Sequence, residues 1–431
     1  MTVTAWLALV VFVAAYALIA TEKVHRVKAA LGGAAAMVII GATRGHSAFF
    51  SESTGVDWNV VFLLLGMMII VGVLRTTGIF EFVAIWAAKA SKGRPFRMMA
   101  LLVVITAVAS ALLDNVTTVL LIAPVTILVC DRVRISPIPF LLAEAMASNI
   151  GGTATLIGDP PNIIIASRAG FSFNDFLVHL APLVVVLLVI FVGLCWLLWG
   201  RSLHIDPARA AALQGLRGRD AITDRALLGR LGGVLLLVLI GFATHTVHHI
   251  EPSLIAMLGA GASILVSKAD QSDFLREVEW ETLVFFAGLF IMVGALVEQG
   301  VIGQLAVALT GAVGDQYLAA AMVMLFGSAA LSGIVDNIPY VATMSPLVLD
   351  LVGPAEGLPP PKRGVWWALA LGADLGGNAT AVGASANVVV TGIAKRNGHP
   401  ISFWEFTKYG LVVTVVTIVA AAPYLYWRYY A

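Results

Sequence analysis

The chain has 431 residues, 60% of them hydrophobic and 12% charged, with a formal net charge of +1 and a mean hydropathy of +0.95. A soluble domain needs far more surface charge, so this composition describes a polytopic membrane protein, and the near-neutral balance gives no sign of nucleic-acid binding. Two cysteines, Cys130 and Cys195, lie far apart in apolar segments; they form neither a disulfide framework nor a CxxC site and read as buried, inert thiols.

The first apolar stretch, "VTAWLALVVFVAAYALIA", lacks a basic lead-in and reads as a retained helix rather than a signal peptide. A spanning helix needs about 20 mostly apolar residues. Ten stretches qualify in chain order: 3–21, 28–43, 58–75, 138–168, 177–199, 231–248, 253–267, 281–298, 365–394 and 408–427. Residues 98–130 and 316–349 behave differently. Each contains a single charge, Asp114 or Asp336. Each would be roughly 50 Å long as helix, too long for one crossing and too short for two. A re-entrant hairpin with the Asp at its tip fits both.

With the N-terminus outside and both stretches treated as hairpins, only Arg44, Arg168, Lys362, Arg363 and Arg428 of the 26 Lys and Arg fall outside. The positive-inside rule favours this orientation, with both termini out. Residues 201–230 are polar and Arg-rich, a cytoplasmic linker between residues 1–200 and 231–431.

Those two parts match each other. "DWNVVFLLLGMMIIVGVLRTTGIF" (57–80) aligns with "EWETLVFFAGLFIMVGALVEQGVI" (279–302), and "LLDNVTTVLLIAP" (112–124) with "IVDNIPYVATMSP" (334–346). "SNIGGTATLIGDPPN" (148–162) aligns with "ADLGGNATAVGASAN" (373–387). Each part has five crossings and one hairpin. Five is odd, so the second copy is inverted, which is a transporter architecture. The fold expected is therefore an all-α membrane protein of two inverted repeats, about ten crossings in all. In "GGTATLIGDPPN" the glycines permit unusual backbone, while Pro160 and Pro161 remove donors. The 138–168 and 365–394 helices are thus read as broken, with unwound middles inside the membrane.

Hairpin tips and unwound loops should meet near the midplane. The candidate site is Asp114, Asn115, Thr117, Thr118, Gly151, Gly152, Thr153, Thr155, Asp159, Asn162, Asp336, Asn337, Gly376, Gly377, Asn378, Thr380, Ser385 and Asn387, with Asn149 and Asp374 beside them. Intramembrane carboxylates are expensive and usually functional. Such an oxygen-rich set suits hard cations or protons. The coupling-acid candidates are Asp114, Asp159, Asp336, Asp374 and Glu144. An Asp-Asn before a helix is also an ordinary N-cap, a reading compatible with the first. Asp159 breaks the repeat, because its counterpart is Ala384, and Asp374 corresponds to Asn149. Glu144 reads more simply as bonded to a neighbouring helix. "HTVHH" (245–249) has metal-ligand spacing, but at a helix end a wetted interface is the simpler reading. "GGTATLIGD" lacks the Lys-Ser/Thr of a phosphate loop and follows no strand.

"LLDNVTTVLLIAPVTI" followed by "EAMASNIGGTATLIGDPPNIIIAS" resembles the ion transporter superfamily of arsenite permeases, NhaD-type Na⁺/H⁺ antiporters, citrate and dicarboxylate transporters and the melanosomal P-protein, and is nearest in wording to the P-protein-like branch. The resemblance runs from about residue 55 to the end. It implies a homodimer with a scaffold and a moving transport region, working by an elevator-type alternating access. It places sodium contacts near Asn115, Asn337, Gly151 and Gly376. Where the sodium-coupled dicarboxylate members carry Ser-Asn-Thr at the tips, this chain has Asp114-Asn115-Val116 and Asp336-Asn337-Ile338. The added negative charge disfavours a dicarboxylate, and two distant cysteines offer no three-thiol arsenite site. The expectation is a secondary active transporter of a small inorganic ion or solute in the bacterial inner membrane. It would be coupled to H⁺ or Na⁺ and need no cofactor. A Na⁺/H⁺ antiporter and an organic-anion carrier are alternatives within that class. An ion channel or a two-aspartate protease would be different classes.

Overall fold

In long apolar runs the backbone N–H and C=O groups find no partner in lipid except one another, so such segments fold as helices. A computed structural model describes residues 2–21, 24–51, 53–204, 221–267, 275–276, 278–314 and 316–431, and among them it is all-helical. The greater part of the 201–230 linker lies outside the described residues.

The first part runs α1 (Val3–Ala20), α2 (Arg26–Ile39), α3 (Gly45–Phe50), α4 (Trp58–Arg75), α5 (Ile79–Ala90), α6 (Pro95–Leu112), α7 (Asn115–Val133), α8 (Ile138–Gly152), α9 (Pro160–Ala169), α10 (Phe173–His179) and α11 (Ala181–Trp199). The second runs α12 (Arg225–His248), α13 (Pro252–Ser267), α14 (Trp280–Glu298), α15 (Val301–Val313), α16 (Tyr317–Ser332), α17 (Asn337–Val352), α18 (Pro360–Gly376), α19 (Ser385–Arg396) and α20 (Phe403–Tyr429). Seven of these helices are long and apolar enough to cross a membrane: α4, α6, α7, α11, α12, α14 and α20.

Local sequence sets the boundaries. Asp57, Asp114, Asp224, Asp336 and Ser402 cap the helices that follow them. Pro95, Pro160 and Pro360 stand in first turns, where a missing N–H costs nothing. Both long apolar stretches break at their aspartate, between α6 and α7 and between α16 and α17. The first hairpin outruns the apolar pattern at both ends, from Pro95 to Val133; the second begins one residue inside it, at Tyr317, and ends beyond it at Val352. Residues 138–168 and 365–394 are each interrupted, between α8 and α9 and between α18 and α19, where a short 3₁₀ turn follows Gly376.

Packing sorts the helices into two layers. α2 packs on α1 and α14, while α13 packs on α4 and α12. The central layer pairs α6 with α8 and α16 with α18, flanked by α11 and α20. Within it the two parts interlock, since α7 packs on α19 and α17 on α9. The close approach of α6 to α8 needs a glycine, as a Cβ on Gly151 would stand 2.2 Å from the Ala107 carbonyl oxygen.

Candidate functional site

The site is built on the two helix breaks in each part, and the same bonds recur in both. Asp114 caps α7 by accepting from the Thr117 N–H at 2.8 Å, and Asp336 caps α17 by accepting from Ile338 N–H at 3.1 Å. The next N–H, from Asn115 or Asn337, donates to the carbonyl of Gly158 or Gly383 at 3.1 and 3.2 Å. Ser110 Oγ donates to Ser148 O at 2.6 Å, and Ser332 Oγ to Ala373 O at 2.7 Å. Thr155 Oγ1 bonds Ala111 O at 2.5 Å, and Thr380 Oγ1 bonds Gly333 O at 2.6 Å. Each hairpin tip is thereby stitched to the unwound loop of its own part.

Asn162 and Asn387 brace those loops. Asn162 Nδ2 donates to Gly152 O and Thr155 O at 3.3 and 3.1 Å. Asn387 Nδ2 donates to Gly377 O and Thr380 O at 2.8 and 2.9 Å. Carbonyls freed by unwinding are thus partly satisfied by the protein itself. Thr153 Oγ1 bonds back to Asn149 O at 2.9 Å, while the buried Thr118 hydroxyl has no protein partner.

Asn149 joins the parts. Its Oδ1 accepts from Asn115 Nδ2 at 3.2 Å, and its Nδ2 donates to Asn378 Oδ1 at 3.0 Å and Asn387 Oδ1 at 3.1 Å. Asn337 Nδ2 reaches both oxygens of Asp159 from the other tip, at 3.4 and 3.3 Å. Asp159 and Asp374 are 1% and 0% exposed, and Asp159 interacts electrostatically with Asp374, Asp336 and Asp114. Asp374 neighbours the Asn162 amide and the Thr153 hydroxyl, yet neither of its oxygens receives a hydrogen bond of good geometry. Four carboxylates therefore act on one another inside the protein, where like charges repel more strongly than in water.

Glu144 is buried but separate from this group. Its Oε1 accepts from Thr126 Oγ1 at 2.5 Å, which is the neighbouring-helix bond expected of it. Sequence reading missed Arg26, counted only as a basic residue near the membrane edge. Its Nη1 stands 3.7 Å from Asp336 Oδ2 and donates to Ser385 Oγ at 2.8 Å.

Two cavities approach the site from opposite ends. One, of about 680 Å³, is lined by Arg26, Val116, Glu279, Thr282, Asp336 and Ser385. The other, of about 690 Å³, is lined by Leu156, Ile163, Ser167, His245, His249 and Glu251. The first opens at the start of α14 and the second at the start of α4. These starts lie at opposite ends, because Gly294 near the end of α14 abuts Thr54 just before α4. No cluster of three metal-ligating side chains occurs among the described residues, the histidines of "HTVHH" included.

The chain is similar to several known proteins. An uncharacterized transporter of Mycobacterium tuberculosis is 58% identical over 98% of both chains. The human P protein is 36% identical over 95% of this chain and 58% of its own length. The YdaH transporter of Alcanivorax borkumensis superposes with a TM-score of 0.58 at 14% identity, covering 98% of this chain and 96% of that one, which shows the shared fold. The citrate transporter family model, CitMHS, matches residues 16–372. The chain therefore belongs to the citrate transporter family and is a multi-pass integral membrane transporter.

Proposed function

We propose that the protein is a secondary active transporter that moves a small inorganic ion or solute by elevator-type alternating access, coupled to H⁺ or Na⁺. The observation that carries this reading is the Asp159–Asp374 pair, fully buried and electrostatically linked, with the Asn337 amide from the second part donating to Asp159. Such a pair holds a proton or a hard cation at a cost that alternates with access. The acidic interior weighs against a citrate-like trianion as cargo, despite the family's name. Support for inverted repeats comes from the end of α14, which abuts Thr54 just before its counterpart α4, as an opposed pair of helices would. The peripheral layer of α1–α4 and α12–α14 would be the scaffold, meeting a second copy in a homodimer. The central layer would be the part that moves.

The test uses purified protein in vesicles, with arsenite, citrate, chloride and Na⁺ as probes under imposed pH and Na⁺ gradients. Asp159→Asn and Asp374→Asn should each cut gradient-driven flux by at least about tenfold, the effect of roughly 1.4 kcal/mol at the coupling step. Undiminished coupled flux in both would refute the assignment.

A further inference from the structure

The two hairpin tips are alike in sequence and backbone bonding, yet they differ in charge. At Asp336, the Arg26 guanidinium stands 3.7 Å from Oδ2. It donates through Nη1 to Ser385 Oγ at 2.8 Å, and that hydroxyl donates to the same carboxylate oxygen at 2.7 Å. Nη2 reaches Thr282 Oγ1 at 3.3 Å, and the guanidinium lies over the Phe285 ring at 5.5 Å from its centroid. None of this recurs at Asp114. Gly288 packs on Ala30 as Gly66 packs on Ala256, which sets α13 in correspondence with α2. The counterpart of Arg26 is then Pro252, that of Thr282 is Val60 and that of Ser385 is Pro160. Each group that makes or holds the guanidinium contact is replaced by one with no side-chain hydrogen-bonding atom. Among the described residues no cationic side chain pairs with Asp114.

Resting on the transporter reading above, we propose that Arg26 is a tethered counter-cation that occupies the second tip in this state and competes there with a mobile cation or proton. Arg26 sits in the peripheral layer, whereas Asp336 and Ser385 sit in the central one. Sliding of one layer past the other parts them and leaves an acid that must take up a cation or proton. The guanidinium does not lose its own proton, so it neutralises without carrying one. The other titratable groups around Asp336 are Tyr16 on α1 and Asp159 across the centre. Glu279, His25 and Glu281 line the same cavity, the last two paired at 3.3 Å.

Thermal melting of the full-length protein in detergent tests this, in NaCl against choline chloride and across pH at constant ionic strength. Arg26→Gln should gain stabilisation by Na⁺ or by acid, relative to wild type, of at least about 2 °C. Adding Asp336→Asn should abolish that gain, and Arg26→Lys should keep the wild-type response. Should Arg26→Gln alone fail to fold, the double variant should restore folding. The proposal is overturned if Arg26→Gln responds as wild type does, if the gain survives Asp336→Asn, or if the double variant is as unfolded as the single one. Because melting does not depend on the cargo, its failure is separable from failure of the vesicle assay.

Discussion

Each aspartate at a hairpin tip does two jobs with one carboxylate. As an N-cap it accepts a backbone N–H, worth about 1 kcal/mol. As an acid beside Asp159 it adds to a shared charge that the interior tolerates poorly. These residues were legible in sequence because an ionisable group in an apolar run has few ordinary explanations. Arg26 was not, because a basic residue at a helix start near the membrane edge already has one in the positive-inside rule, and only distance reveals its partner. Glu279, which precedes α14 on the wall of the same cavity, shows what that environment does. Burial, reinforced by the charge of Asp114, pushes its carboxyl up to about 7. The folded protein thus holds this proton more tightly than the unfolded chain does. Its contribution to stability is present below the usual glutamate range and is lost as pH rises toward 7. Glu279→Gln should flatten that part of the melting-temperature profile, gaining on wild type at pH 8 but not at pH 4. A profile parallel to wild type would contradict it.

At the scale of elements, the architecture rests on helices interrupted inside long apolar runs. The sequence announces the stops through Gly, Pro and Asp in otherwise apolar runs, and the structure places breaks in all four stretches. The arms of the first hairpin outrun the apolar pattern because helices continue as far as their caps and prolines allow. Which helices then touch was not legible, since the exchange of α7 and α17 between parts depends on long-range packing. Backbone proximity enforces that packing. A Cβ on Gly376 would lie 2.6 Å from Ala329 Cα, as one on Gly151 would lie against Ala107. Gly151→Ala and Gly376→Ala should each cost about 1–3 kcal/mol through overpacking. Lower melting temperatures for both, with Gly32→Ala as a control that meets open space, would bear this out; equal temperatures for all three would not.

For the whole molecule, the membrane character and the family follow from composition and paired motifs, and the placement of basic residues sets an expected sidedness. That orientation is directly testable, because Lys92, between α5 and α6, and Glu356, between α17 and α18, are both exposed. In a background with Cys130 and Cys195 replaced by serine, a membrane-impermeant maleimide applied to intact cells should label Glu356→Cys and spare Lys92→Cys until the membrane is opened. The opposite pattern would invert the topology.

The Asn149 amide deserves a last look as an arrangement of hydrogens. Both of its protons are given to the second part and its oxygen is filled from the first, so it is saturated. Its counterpart, Asp374, has the same shape but, when ionised, accepts only. The centre is therefore lopsided: one member of the related pair is complete, and the other is short of a donor. Under the proposed transport reading, a species bound at this centre would meet that demand by bringing a hydrogen or a positive charge. Exchanging the two residues, by Asn149→Asp with Asp374→Asn, would move that demand across the pseudo-axis without changing the net charge of the protein.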